Sequence, residues 1–269
     1  DKKGQTVPKK RLYPLVTALC CLSSHVCGEM HHHDVEQQKV FDNSYEWESA
    51  LIAPFEELLI SWNSPRPEKG NYSIYVSVDT GEWSPWLLYA KWGTTFQTAF
   101  KSDKTNQRVR VYQDTVESIN GNKGKRFKIK VTAENGANLS TLKALHVCAS
   151  NPTTFRSKET HYSRPSTCLN IAGLSQMALN DSRSHRLCSP TSTTAVLRFL
   201  NNDKSLNPID FAESSWDSGF DIFGNWVFNI SEAYNRLNNP SHLCWVERYD
   251  NFSRILDSLD KGFPTVISI

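Results

Sequence analysis

The sequence predicts two domains, an all-β sandwich followed by an α+β unit. Three observations predict them. Residues 44–150 carry short apolar runs of period two separated by turn formers. Residues 151–167 lose that period and gather Pro152, Pro165, Ser157, Ser163 and Ser166, a linker composition. Beyond them the apolar residues fall at helical spacing. A chain of 269 residues has the length of about two ordinary domains.

At the N-terminus, Lys2, Lys3, Lys9, Lys10 and Arg11 precede an apolar stretch from Leu12 to Leu22, and Val26-Cys27-Gly28 places a small residue before Glu29. That is the layout of an export signal. A mobile arm is the alternative, since Pro14 interrupts the stretch and no Met opens the chain. Cys20, Cys21 and Cys27 each lack the small preceding residue of a lipid-attachment motif. His31, His32 and His33 follow; adjacent imidazoles rarely converge on one ion, so no metal site is expected. Residues 1–43 thus read as signal peptide and solvated linker with no tertiary role, and the protein as secreted or associated with the cell envelope. No later apolar run reaches the ~18 residues of a spanning helix, so the mature protein is expected to have no membrane span.

Between residues 44 and 150 the runs Leu58–Trp62, Tyr72–Val78, Val109–Tyr112 and Phe127–Val131 alternate apolar and polar side chains. Pro65, Pro67, Gly70, Gly81, Asn120-Gly121 and Asn135-Gly136 punctuate them. Several strands at this spacing make an antiparallel sandwich. Lys128 and Lys130 alternate with Phe127 and Ile129, as on a solvated strand face. Trp62 ends an apolar strand and points inward. Trp83 and Trp86 flank Ser84-Pro85 in a turn, where exposed rings are candidates for stacking on a glycan.

Past the linker, Thr191 to Leu200 forms a helix behind Pro190, Ile230 to Leu237 a second with Asn229 as its cap, and Phe252 to Leu259 a third with one apolar face. Gly262 to Ile269 reads as the opening of a buried strand. Lys and Arg number 30 against 28 Asp and Glu, a balance that argues against a nucleic-acid partner. No phosphate-binding glycine loop, Cys-x-x-Cys or His-Glu-x-x-His is present, and no cofactor is expected.

The most informative segment is Arg186-Leu187-Cys188-Ser189-Pro190-Thr191-Ser192. Pro190 at the first helical position sets Cys188 just before a helix N-terminus, where the dipole favours the thiolate that attacks a carbonyl. The same spacing suits an inert buried thiol, or half of a disulfide with Cys148, Cys168 or Cys244 in an exported protein.

Cys188-Ser189-Pro190-Thr191-Ser192 resembles the nucleophile motif of bacterial papain-like cysteine peptidases related to the bacteriocin-leader (double-glycine) peptidases, the peptidase C39-like group. Gly173-Leu174-Ser175-Gln176 resembles that family's upstream Ser-Gln, Gly224-Asn225-Trp226 its Gly-Asn-Trp segment, and Lys261-Gly262-Phe263-Pro264-Thr265-Val266 its Gly-x-Pro-Val strand. The four lie in the family's order. The resemblance implies a papain-like α+β domain over 168–269 that stops before its second half, preceded by a β-domain like one that accompanies secreted members. It implies Cys188 as nucleophile and Gln176 as oxyanion donor, with Asn225 and Trp226 structural near the site, the one an amide fastening a loop and the other a buried ring.

The family's base His, and the Asp or Asn that orients it, follow the Gly-x-Pro-Val strand, and the sequence reaches Ile269 before either. His161, His185 and His242 fall elsewhere. The expectation is a secreted cysteine hydrolase acting on a peptide or cell-wall-derived amide, inactive as this fragment or as a decayed copy. The alternative is a surface protein that binds a glycan or cell-wall polymer through its β-domain and carries a degenerate peptidase-like part.

Overall fold

Alternation does build strands here. The computed structural model describes residues 28–102, 105–155, 167–249 and 251–268, and its strands are β1 Glu29–Asp34, β2 Ser44–Glu48, β3 Glu57–Asn63, β4 Asn71–Asp79, β5 Leu87–Gly93, β6 Gln97–Lys101, β7 Val109–Gln113, β8 Thr115–Ser118, β9 Arg126–Glu134 and β10 Ala144–Ser150. β9 shows the period most clearly: Phe127, Ile129 and Val131 are fully buried, while Arg126, Lys128 and Lys130 face outward. At Asn135-Gly136, which ends β9, both residues have positive φ, as primed turns require. Gly70 also has positive φ, and a Cβ there would stand 2.1 Å from the Glu134 carbonyl oxygen.

The strands form one antiparallel sheet in the order β1-β10-β3-β8-β7-β6-β5-β4-β9-β2. It is a single sheet curled on itself, in place of the expected two-sheet sandwich. β6 makes the corner, pairing with β5 through Ala90–Trp92 and with β7 through Phe100 and Lys101. Trp62, Tyr72, Trp92, Phe127 and the aliphatic residues of the inner face fill the interior.

The reading of residues 29–43 as a solvated linker is overturned. β1 pairs along its whole length with β10, from Glu29 opposite Ala149 to Asp34 opposite Ala144, because β10 would otherwise present an unpaired edge. Residues 1–27 of the expected export signal, which runs to Gly28, lie outside the described residues, as does 156–166 of the linker.

Among the described residues four α-helices follow: α1 Cys188–Asn201, α2 Pro208–Ser215, α3 Trp226–Arg236 and α4 Ser253–Asp260. Three match expectation, with shifted starts. α1 begins at Cys188, so Pro190 is its third residue, still within the turn whose N–H groups lack intrahelical partners. α3 is capped by Asn225, and Asn229 lies inside it, donating to the Phe223 and Asn225 carbonyls at 2.8 Å each. α2 was not foreseen; Asn207 caps it and Pro208 opens it. Residues 263–268 are neither strand nor buried: Phe263 is 52% and Ile267 50% exposed. No strand among the described residues pairs with them.

The helical part has two small clusters of its own, Leu187 with Ala212 and Phe223, and Leu197 with Phe211 and Ala233, and α3 also reaches into the sheet. Val227 and Phe228 of α3 belong to the sheet's own core, and Phe228 meets Trp62 at 6.1 Å and Trp92 at 6.4 Å between ring centres. Arg66, just past β3, stacks on Trp92 at 3.9 Å. It also pairs with the buried Glu232 of α3 at 3.0 Å and donates to the Ser214 carbonyl of α2 at 2.5 Å. The sheet core and the two helical clusters thus lie on either side of the expected 151–167 boundary, with Val227 and Phe228 of α3 crossing it. Among the described residues no helix is long and apolar enough to cross a membrane.

Candidate functional site

Cys188 is the first residue of α1, reduced and exposed. Leu187, immediately before it, is fully buried with Ala212, Phe223 and Leu179, so a rooted leucine holds the thiol at the surface. The Thr191 N–H donates to the Leu187 carbonyl at 3.0 Å, closing the first helical turn beneath the sulfur. The amide dipoles of α1 direct their positive end at it. Cys168 and Cys244 are free as well, which sets aside a disulfide between Cys188 and either of them.

Gln176 lies in a short 3-10 turn, Gln176–Ala178. Its Nε2 donates to the Ser184 carbonyl at 3.1 Å, and Ser184 starts the 3-10 turn Ser184–Arg186 that runs straight into Cys188. The structure thus fastens Gln176 to the segment feeding the thiol, with one of its two amide hydrogens engaged. The basic residues of this segment are neutralised. Arg183 grips Asp181 at 2.6 Å and Glu213 at 3.0 Å, and its hydrogen bonds hold the Asp181 carboxyl down to about 2. Arg186 pairs with Asp221 at 3.2 Å.

Asn225 is wholly buried. Its Oδ1 accepts from the Val227 and Phe228 N–H groups at 3.1 and 3.3 Å, and its Nδ2 donates to Asp217 at 2.9 Å. The other Asp217 oxygen accepts from the Ala99 N–H of β6 at 3.0 Å and the Gly219 N–H at 2.9 Å. This amide does fasten a loop, and it fastens it to the sheet. Asp217 was missed in the sequence; the turn-forming Asp217-Ser218-Gly219 after α2 was its signal.

Residues 168–269 match the model of the Peptidase_C39 like family. No curated protein and no solved structure matches the chain. The match supports a papain-like cysteine-peptidase type for the helical part and does not extend to the sheet. Cys188, Gln176, Asn225 and Trp226 all lie inside the Peptidase_C39 like segment.

Within that segment Trp226 departs from expectation: it opens α3 and is 37% exposed, while its backbone N–H donates to Asp114 at 3.5 Å. Burial pushes the Asp114 carboxyl up. His185 is exposed and His242 sits in a loop near Asn239 at 3.3 Å. Neither hydrogen-bonds Cys188 among the described residues, and His161 lies outside them.

Trp83 and Trp86 lie outside the matched segment, on the outer face of the sheet. Lys128 stands 4.2 Å from the Trp83 ring and Arg126 5.0 Å; Lys130 stands 4.3 Å from Trp86. Cations therefore occupy ring surface that a sugar would need. Beside Trp83 opens a cleft of about 480 Å³ that also includes Glu82, Asn106, Gln107 and Arg108. Among the described residues no group of three or more His, Cys, Asp or Glu is placed to hold a metal ion.

Proposed function

We propose that this protein is a secreted cysteine hydrolase that cleaves a peptide or other amide bond with Cys188 as nucleophile. The observation that carries the reading is an exposed free thiol on the first residue of α1, inside the segment that matches the Peptidase_C39 like family. The Cys188 thiolate adds to the amide carbonyl, the C–N bond breaks as the amine takes a proton, and water then releases the acyl group. The second Gln176 amide hydrogen and the Cys188 backbone N–H are assigned to the oxyanion. Since no described imidazole hydrogen-bonds the thiol, these 269 residues are expected to hydrolyse little by themselves. Export rests on the basic, apolar and small-residue order of residues 2–28.

Cys168 is also exposed and free, so it serves as an internal control. An electrophilic thiol probe should label Cys188 at least tenfold faster than Cys168, and equal rates would sink the reading. Whatever hydrolysis the protein shows, Cys188→Ala should abolish it and Cys188→Ser should leave a trace, because an alcohol is a weaker nucleophile at neutral pH.

A second reading, a surface protein that holds a glycan or cell-wall polymer, is favoured by the cleft beside Trp83. It predicts that the protein sediments with isolated cell-wall polymer and that Trp83→Ala abolishes this while leaving Cys188 labelling unchanged.

A further inference from the structure

The three adjacent histidines are used by neither reading, and β1 separates them. Successive strand side chains face opposite sides. His31 and His33 lie against the core, 5.6 Å from the Phe127 ring and stacked 4.6 Å from Trp47, whereas His32 faces outward. His32 stands directly across from His146 of β10, and their Nδ1 atoms are 2.9 Å apart. His146 is in turn opposite Ser61 of β3.

His32 itself is exposed, but the face behind it is dry: His146, Ser61 and Asn63 are fully buried, because residues 242–249 run across it as a strap. Asn63 donates to the Cys244 carbonyl at 2.7 Å and accepts from the Cys244 N–H at 3.1 Å. The Val246 N–H donates to Ser61 at 3.3 Å and the Arg248 N–H to the Cys148 sulfur at 3.4 Å, while the Arg248 guanidinium pairs with Glu57 of β3. Trp245 closes over both imidazoles, at 4.8 Å from His32 and 5.8 Å from His146.

The proton positions follow from Asn63. Its Nδ2 serves Cys244, so its Oδ1 faces His146 Nε2 at 3.0 Å, and that nitrogen carries the hydrogen. Nδ1 of the neutral His146 ring is then an acceptor and takes the His32 Nδ1–H. A further proton on His146 has only Nδ1 to go to, where it meets another N–H head on. The charged groups acting on the pair are Glu247 of the strap and Asp34 of β1, both on His32, with His31 beside it. β3 brings the neutral Ser61 and Asn63. Burial pushes the strap's Cys244 thiol up to about 12, so it stays uncharged.

We propose that the His32–His146 pair is an acid-operated latch, whose protonation releases the strap 242–249 from the outer face of the sheet. Burial, and secondarily the charge of His32, holds His146 down to about 3, and burial lowers His32. A released ring titrates near 6.5. Below that value the open state binds more protons than the closed one, so closure weakens as the pH falls, by about tenfold per pH unit for each proton taken up.

Labelling with 4,4′-dithiodipyridine, read cysteine by cysteine and expressed relative to the unfolded chain at the same pH, reports the opening at Cys244. The relative rate should rise about tenfold from pH 6 to pH 5, with no such rise at Cys188. His146→Gln keeps a donor toward Asn63 and an acceptor for His32 and should flatten the rise. In the unaltered protein, hydrogen exchange at the Cys244 and Val246 amides should follow the same profile while amides of β4 and β9 stay protected. A flat rate from pH 7 to 5, a rise shared with the core amides, or an undiminished rise in His146→Gln overturns the proposal.

Discussion

At the scale of single residues, the buried polar groups carry the sharpest expectations. Asn225→Ala removes a helix cap, worth about 1 kcal/mol, and strips the buried Asp217 carboxylate of a donor, at about 1–3 kcal/mol more. Urea titration should show a loss of about 2–4 kcal/mol with the slope unchanged. Glu232 holds Arg66 at 3.0 Å and Arg236 at 2.6 Å with its side chain 2% exposed. Glu232→Ala leaves the Arg66 guanidinium buried without its counter-charge and should cost about 3–5 kcal/mol. The exposed Arg108–Glu82 pair at 2.9 Å should cost under about 1 kcal/mol when broken. Asn225 was legible as a fastener only through the resemblance of Gly224-Asn225-Trp226 to the peptidase C39-like segment, since no local pattern assigns its amide that role. Its capping role was misplaced onto Asn229, one helical turn on, where an asparagine before Ile230 looks locally identical. His32 was read as solvated because its partner His146 stands 114 positions away, and no local pattern announces such a pair.

At the scale of elements, strands were read from period two and helices from their apolar face, and both signals are local. β3, β4, β7 and β9 lie where alternation put them, and α1, α3 and α4 overlap their expected spans. What failed was context. The Gly262–Ile269 run is apolar enough for a strand, yet a strand needs a neighbour, and residues 263–268 have none among those described. β1 shows the reverse: Glu29–Asp34 has no strand propensity to speak of and is ordered by the open edge of β10. α3 is the element that joins sheet to helices, so Phe228→Ala should cost about 3–5 kcal/mol. Thermal melts followed by circular dichroism of the helices and by fluorescence of Trp62 and Trp92 in the sheet should shift together in that variant. A shift confined to the helical signal would mean that α3 packs more loosely on Trp62 and Trp92 than their 6 Å ring separations imply.

At the scale of the whole molecule, the curled sheet holds the first turn of α3 in its interior, beside two small clusters that belong to the helical part alone. One cooperative unfolding transition is therefore expected from circular dichroism of the helices and fluorescence of the buried Trp62 and Trp92, with coincident midpoints. Two resolved midpoints would restore the two-unit picture. The sheet's connectivity has a further consequence, for the order of events during synthesis. β1 is made early and its partner β10 late, and the strap reaches Asn63 from 181 positions away. A nascent chain must hold β1 as an unsatisfied edge until more than a hundred further residues have been made, so folding is dominated by distant pairings and belongs to the slow, millisecond-to-second class. Throughout that interval the hydrophobic β3 and β4 stand open to wrong partners, and assistance by a holding chaperone should raise the yield of native chain most when it acts before β10 emerges.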